Sequence, residues 1–367
     1  MADDEHARAV YSAAYRGDAM TTMNAVDWAR QAARSRWNRV GFLASVVLFL
    51  TLVSIPIVTP YLWLLAISFT HRDGDSEYQV LWRLLTIAAL AYGLLLAVAW
   101  RARTEQRARR LRWLVGLAAL LVFGLWVAPQ LTLHNYRFLW NPDVQATGMQ
   151  SGTLPSVWTA LGNSLLFAGG HTLLVTLLAV PADYALSRLG FRRREGVLKA
   201  LLLLHAFPVM ALTVALFIQL YWMGLLNSLW GVMLVMCALE LPFAIFVMKN
   251  FFDGVSWDIE MSAITDGASR FQAFRLVVLP QVTGGIIAIA TFAFLRGWEE
   301  YIFVRTLLID SGRMTMSLYL FWASQDSMGA DSGLIAAVGV IYILPVLALY
   351  LLTQKYLTQM SVGGIKG

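Results

Sequence analysis

The sequence predicts an all-α fold, a polytopic transmembrane helical bundle of about eight spans, on three observations. Of its 367 residues 59% are hydrophobic and only 14% charged, more apolar surface than one soluble core can bury. Apolar runs at 41–69, 80–100, 111–129, 157–186, 197–222, 229–248, 280–309 and 333–354 each approach or exceed the roughly 20 residues that cross a bilayer. With the N-terminus placed in the cytoplasm, 22 of the 28 basic residues fall in the segments on that side, including six Arg in "RARTEQRARRLR" at 101–112. The net charge of +6 is therefore a topological signal and not a nucleic-acid footprint.

Residues 1–40 form a cytoplasmic N-terminal segment containing "VDWARQAARSRWNR", where Val26, Ala29, Ala33 and Trp37 share one helical face, as an interfacial helix would. The first run, within 41–70, begins too deep in the chain for a cleavable leader and reads as a span. Residues 71–129 hold the second and third runs as a hairpin with its basic turn inside, 130–156 form an external segment, and 157–367 hold the remaining five runs. Cys237, the one cysteine, falls inside a span and reads as a small packing residue. Pro181, Pro208 and Pro345 are expected to bend their spans.

Between the sixth and seventh runs a polar segment, "EMSAITDGASRFQAFRLVVLP" at 260–280, interrupts the apolar pattern. Ser256 is placed to cap a helix whose first turns carry Asp258 and Glu260, acids favoured at the positive end of the macrodipole. Gly267 supplies a stop. Ser269 and Gln272 have capping-box spacing, and Phe271, Phe274 and Val278 follow on one face of a second helix. Pro280 suits the first turn of the next span.

This segment resembles the cytoplasmic signature of ABC importer permeases, E-A-A, three residues, G, nine residues, then I-x-L-P. Here Met261, Ser262, Ala263, Gly267, Val277, Leu279 and Pro280 stand in that register. "LTLHNYRFLW", "GNSLLFAGGHTLLVTLLAVPADYALSRLGFRRR", "MGLLNSLWGVM", "ALELPFAIFVMKNFF", "WEEYIF" and "KYLTQMSVGGIKG" are similar to segments of the carbohydrate, maltose-type group, so the likeness covers 131–367 strongly and the first span weakly. The family's acid before the small pair is replaced by Met261, while Glu260 matches the first acid of the doubled E-E-A-A form. One residue is about 100° of helix rotation, so Glu260 is not aimed as the usual acid is.

The resemblance implies a six-span importer core with 71–129 as an inserted two-span hairpin. It also implies an assembly in the bacterial cytoplasmic (inner) membrane with both termini inside. Its partners would be a second permease subunit forming a heterodimer, two ATP-binding cassette ATPase subunits and an extracytoplasmic solute-binding protein. The helix at 257–267 would be the coupling helix, with Glu260, Met261, Ser262, Ala263, Asp266, Gly267, Leu279 and Pro280 as the ATPase-coupling residues. ATP and Mg would be bound by the ATPase subunits, leaving this chain without a cofactor or catalytic residues. No phosphate loop of the form G-x-x-x-x-G-K-[ST] occurs in the sequence, consistent with that division of labour.

For the translocation pathway, ionisable residues within spans are the functional candidates. Arg296, Glu299 and Glu300 stand at i, i+3, i+4 in the seventh run, so that Arg296 and Glu300 are expected to form a structural ion pair. Glu240 lies in the sixth run, and Trp298 and Tyr301 add aromatic faces suited to sugar C–H surfaces. Glu240, Trp298, Glu299, Glu300 and Tyr301 are thus the candidate lining of the route. The alternative is a charge network that only fixes packing. His171, Asp183 and His205 read as packing or span-end groups and have no metal-site spacing. Three functions stand open: an ATP-driven importer permease for a sugar, polyol, glycoside or non-sugar solute; an ion-coupled secondary transporter; and an intramembrane enzyme, for which no spacing specifies a reaction.

Overall fold

A computed structural model describes residues 25–70, 76–101, 105–141, 155–190, 192–325 and 332–363. Among these the only regular structure is helical: α1 (Ala25–Ser68), α2 (Ser76–Arg101), α3 (Glu105–Trp126), α4 (Val157–Arg188), α5 (Arg194–His205), α6 (Val209–Trp222), α7 (Leu229–Asp253), α8 (Trp257–Thr265), α9 (Arg270–Gln281), α10 (Thr283–Glu299), α11 (Ile302–Leu307), α12 (Met316–Ser324) and α13 (Ser332–Gly363). Six helices are each long and apolar enough to cross a membrane, and two bent pairs, α5 with α6 and α9 with α10, raise the number to as many as eight. The expected all-α bundle is therefore present, with six to eight candidate spans and two helix pairs bent sharply at short breaks.

The chain divides into two compact units, Met1–Trp63 and Leu64–Gly367. In the first, the described residues form one helix that continues through Pro56 and Pro60, with Leu48, Phe49, Leu52 and Ile55 exposed, as suits a span whose solvent is lipid. The face expected from Val26, Ala29, Ala33 and Trp37 lies outside the described side chains.

In the second unit α2 and α3 form an antiparallel pair. Arg83 near the start of α2 donates to the carbonyl of Trp126 at the end of α3 (2.9 Å) and lies over its ring. The buried Asn135 then holds the chain that follows, its amide donating to the carbonyls of Ile67, Ser68 and Thr70 at 3.2, 3.2 and 2.7 Å. Those of Ser68 and Thr70 have no other partner among the described residues, so without Asn135 two backbone acceptors would be left unpaired.

The rest is organised around α4, which packs most extensively on α7 and α10; α13 closes the other side of α10. Close approach of α4 and α10 depends on Gly297, where a Cβ would sit 3.0 Å from the Ala168 Cα and 3.3 Å from the His171 ring. Buried His171 uses its Nδ1 on the carbonyl of Ala293 (3.0 Å), and Cys237 is buried, so both sit in packing environments as the sequence indicated. Pro181 and Pro345 lie inside α4 and α13, while Pro208 stands in the break between α5 and α6, where the chain turns by 86°. Pro280 is displaced from its expected place: it sits in the last turn of α9, and the span helix begins only at Thr283 after a 74° bend.

Candidate functional site

Two places in the second unit collect polar side chains that an apolar bundle does not need. The first is at the end of the bundle where α4 and α7 finish. Ser256 caps α8, its Oγ accepting from the Asp258 N–H (3.3 Å). α8 ends as the sequence foretold: Gly267 has φ 95°, its N–H bonds to the Ile264 carbonyl (3.0 Å), and the Ala268 N–H reaches back to Ala263 (3.0 Å). That is the Schellman arrangement, which places a residue without Cβ at the left-handed position. Ser269 and Gln272 then form both bonds of a capping box at the start of α9.

What clamps α8 to the bundle is Glu260. It is only 2% exposed; its Oε1 accepts from the Tyr184 hydroxyl (2.6 Å) and its Oε2 lies 3.3 Å from the Arg188 Nε. Arg188 also donates to the carbonyls of Phe252 (2.9 Å) and Val255 (2.6 Å), and its guanidinium lies over the Trp257 ring. Tyr184 and Arg188 are i, i+4 on α4, so one face of that helix grips both the end of α7 and the middle of α8. The Tyr184 ring meets Phe274 of α9 at 4.5 Å. In the sequence Arg188 is one more basic residue on the cytoplasmic side and Tyr184 is unremarked; their i, i+4 spacing at a span end is the signal that joins them.

With Glu260 turned inward, the outer surface of α8 and α9 is left to other side chains. Ser262, Asp266 and Gly267 are exposed, Met261 and Ala263 half-buried, and Ile259, Phe271 and Leu276 present exposed apolar groups. Leu279 is half-buried and Pro280 exposed.

The second place is an open cavity of ≈ 620 Å³ in the second unit, lined by Glu240 of α7, by Arg296, Glu299 and Glu300 at the end of α10, and by His205, Phe207 and Phe303. Both interruptions of regular helix, at Ala206–Pro208 and at Glu300–Tyr301, lie on its wall or beside it. Backbone that leaves the helix at membrane depth is tolerated where it lines a polar cavity, because there its groups find partners other than lipid.

Of the five residues expected on the route, Glu240, Glu299 and Glu300 reach the cavity. Trp298 does not: it is fully buried, with its ring stacked on Phe294 at 6.0 Å and its Nε1 donating to the Tyr342 carbonyl (3.2 Å). Arg296 and Glu299 lie about 60° apart around the helix, whereas Trp298 is about 200° from Arg296, on the opposite face. Tyr301 faces α12, 4.7 Å from Phe321, and its hydroxyl accepts from Arg305 (2.5 Å). The Arg296–Glu300 ion pair does not form. α10 ends at Glu299, Glu300 is extended (φ −63°, ψ 119°), and its Oε1 instead accepts from the Phe303 N–H (2.7 Å), capping α11. An i, i+4 pair requires the helix to continue through both residues. His205, set aside as a span-end group, is on the cavity wall, where it and Arg296 face Glu240.

Residues 176–360 match the family described as binding-protein-dependent transport system inner membrane component. The diacetylchitobiose uptake system permease protein DasC of Streptomyces coelicolor is 28% identical over 57% of this chain and 76% of that protein. The trehalose transport system permease protein SugB of Mycobacterium tuberculosis is 26% identical over 66% of this chain and 85% of its own length. The galactooligosaccharides transport system permease protein GanQ of Bacillus subtilis is 30% identical over 56% and 71%. Among solved structures, a bacterial ABC transporter involved in alginate import shares the fold, with TM-score 0.62 and 18% identity over 88% of this chain and 98% of that chain.

Proposed function

Because the chain belongs to the family of binding-protein-dependent transport system inner membrane components, we propose that it is the permease subunit of an ATP-driven importer carrying a sugar or a related polyol or glycoside. The sugar class is supported by relatives named for diacetylchitobiose, trehalose and galactooligosaccharides. In this reading the chain spans the bacterial cytoplasmic membrane with both termini in the cytoplasm. It pairs with a second permease, two ATPase subunits that bind ATP and Mg, and an external solute-binding protein, and it catalyses no reaction itself. The first span and residues 157–367 form the core, and 71–129 an accessory hairpin against lipid or a neighbouring subunit.

The observation that carries the proposal is α8. It is a short helix outside the apolar bundle, capped, stopped and capped again, and held to α4 by a buried ion pair while Ser262, Asp266 and Gly267 face outward. A helix so placed transmits force. Movement of α8 by an ATPase subunit pulls on Glu260, hence on Tyr184 and Arg188 of α4. α4 in turn packs through Ala168 and His171 against Gly297, one residue from Arg296 and two from Glu299 at the cavity. The two sites are thereby linked through one helix, and ATPase closure biases access to the cavity to the extent that α8 is held differently in the two states.

The test is reconstitution of the tagged chain, with the proteins that co-purify with it, into liposomes. Uptake should require ATP and vanish when the phosphate-loop Lys of the ATPase is replaced. Uptake by this chain alone, driven by an ion gradient, would overturn the proposal in favour of a secondary transporter.

A further inference from the structure

Resting on the permease reading, the cavity carries information about its solute. Its wall holds three carboxylates, Glu240, Glu299 and Glu300, against one guanidinium, Arg296, and one imidazole, His205. With His205 neutral the formal charge is −2. Glu300 spends one oxygen on the Phe303 N–H, but among the described residues no hydrogen bond or ion pair engages the carboxylates of Glu240 and Glu299. Glu299 is exposed to the cavity and Glu240 half-buried in it.

We infer that this cavity selects a solute bearing a protonated amine on a hydroxylated ring, an amino sugar or amino-substituted glycoside, and discriminates against anionic solutes. Carboxylates only accept hydrogen bonds, so they suit hydroxyl and ammonium donors and repel carboxylate, sulfonate or phosphate groups. The sign of the charge decides between neutral and cationic rings. A solute filling the space expels water from acids that no hydrogen bond or ion pair engages among the described residues, a cost that a neutral ring leaves standing and an ammonium offsets. A volume of ≈ 620 Å³ is within the range of small-molecule sites, and Phe207 and Phe303 offer apolar surface for the ring's C–H groups.

The test uses the purified, assembled importer without its binding protein, so that selection upstream does not enter. Equilibrium dialysis at pH 7 against radiolabelled glucosamine, N-acetylglucosamine and glucuronate compares one ring in three charge states. Glucosamine should bind at least about tenfold more tightly than glucuronate, with N-acetylglucosamine between them. Glu240→Gln and Glu299→Gln should each shrink the ratio of glucosamine to glucuronate while changing N-acetylglucosamine much less. Equal or tighter binding of glucuronate, or a ratio that both variants leave intact, would overturn the inference and leave the importer reading standing; a cation supplied by the second permease would produce this result. Absence of binding by all three, in a complex that still takes up its own solute with ATP, would likewise overturn the inference and leave the importer reading standing.

Discussion

The ionisable residues beside α8 and those around the cavity stand in opposite conditions within one bundle. At α8, Glu260 meets the Tyr184 hydroxyl and pairs with Arg188, and Nη2 of Arg188 reaches two backbone carbonyls, so both charges find opposite or polar partners inside the chain. At the cavity, no hydrogen bond or ion pair among the described residues engages the carboxylates of Glu240 and Glu299, and Arg296 has no carboxylate within 4.0 Å. Charges satisfied internally make a stiff joint; charges left open make a place for something else to bind. Substitutions should therefore act on stability at the first place and on transport at the second.

The largest expected effect is at the clamp. Glu260→Ala leaves Arg188 buried and unpaired, a loss of about 3–5 kcal/mol of local stability. It should appear as a lower Tm when the solubilised protein is followed through reaction of buried Cys237 with a thiol dye. Glu260→Leu combined with Arg188→Met removes both charges and should recover most of that loss while leaving ATP-coupled uptake impaired. Tyr184→Phe deletes one charge-assisted hydrogen bond and should cost about 1.5–3 kcal/mol by the same assay. Next comes Gly267→Arg, which puts a side chain at φ 95° on the exposed end of α8. Strain of about 1–3 kcal/mol is expected there, with ATP-dependent uptake lost while the chain remains in the membrane. Normal uptake with this variant would count heavily against α8 as the joint. The smallest effect on stability is at the cavity: Glu299→Gln should shift stability by no more than about 0.5 kcal/mol, yet lower uptake severalfold. A stability loss at Glu299 equal to that at Glu260 would erase the contrast between the two places.

The same contrast explains what could be read from the sequence. Ser256, Gly267 and the Ser269–Gln272 box were legible because caps and stops are set by residues a few positions apart. The clamp was not, since Tyr184 and Glu260 are 76 residues apart and only packing of α4 on α7 and α8 joins them. Around the cavity the acids were legible as charges in apolar runs, but their geometry was not. Trp298 was placed on the route by adjacency to Glu299, although neighbours in sequence point to different faces of a helix. The Arg296–Glu300 pair assumed a helix that in fact ends at Glu299. His205 came to the wall through an 86° break that Pro208 marked without giving its direction.

The central claim is that α8 is the contact with an ATPase, seated by its outer surface and anchored by its inner one. It is tested most directly by a photo-crosslinking amino acid introduced at Ser262, at Asp266 and, as the inward-facing control, at Glu260, in the native membrane, with adducts identified by mass spectrometry. Adducts with a protein carrying an ATP-binding phosphate loop are expected from positions 262 and 266, and none from 260. No ATPase adduct from 262 or 266, in a complex that still takes up solute with ATP, would contradict it.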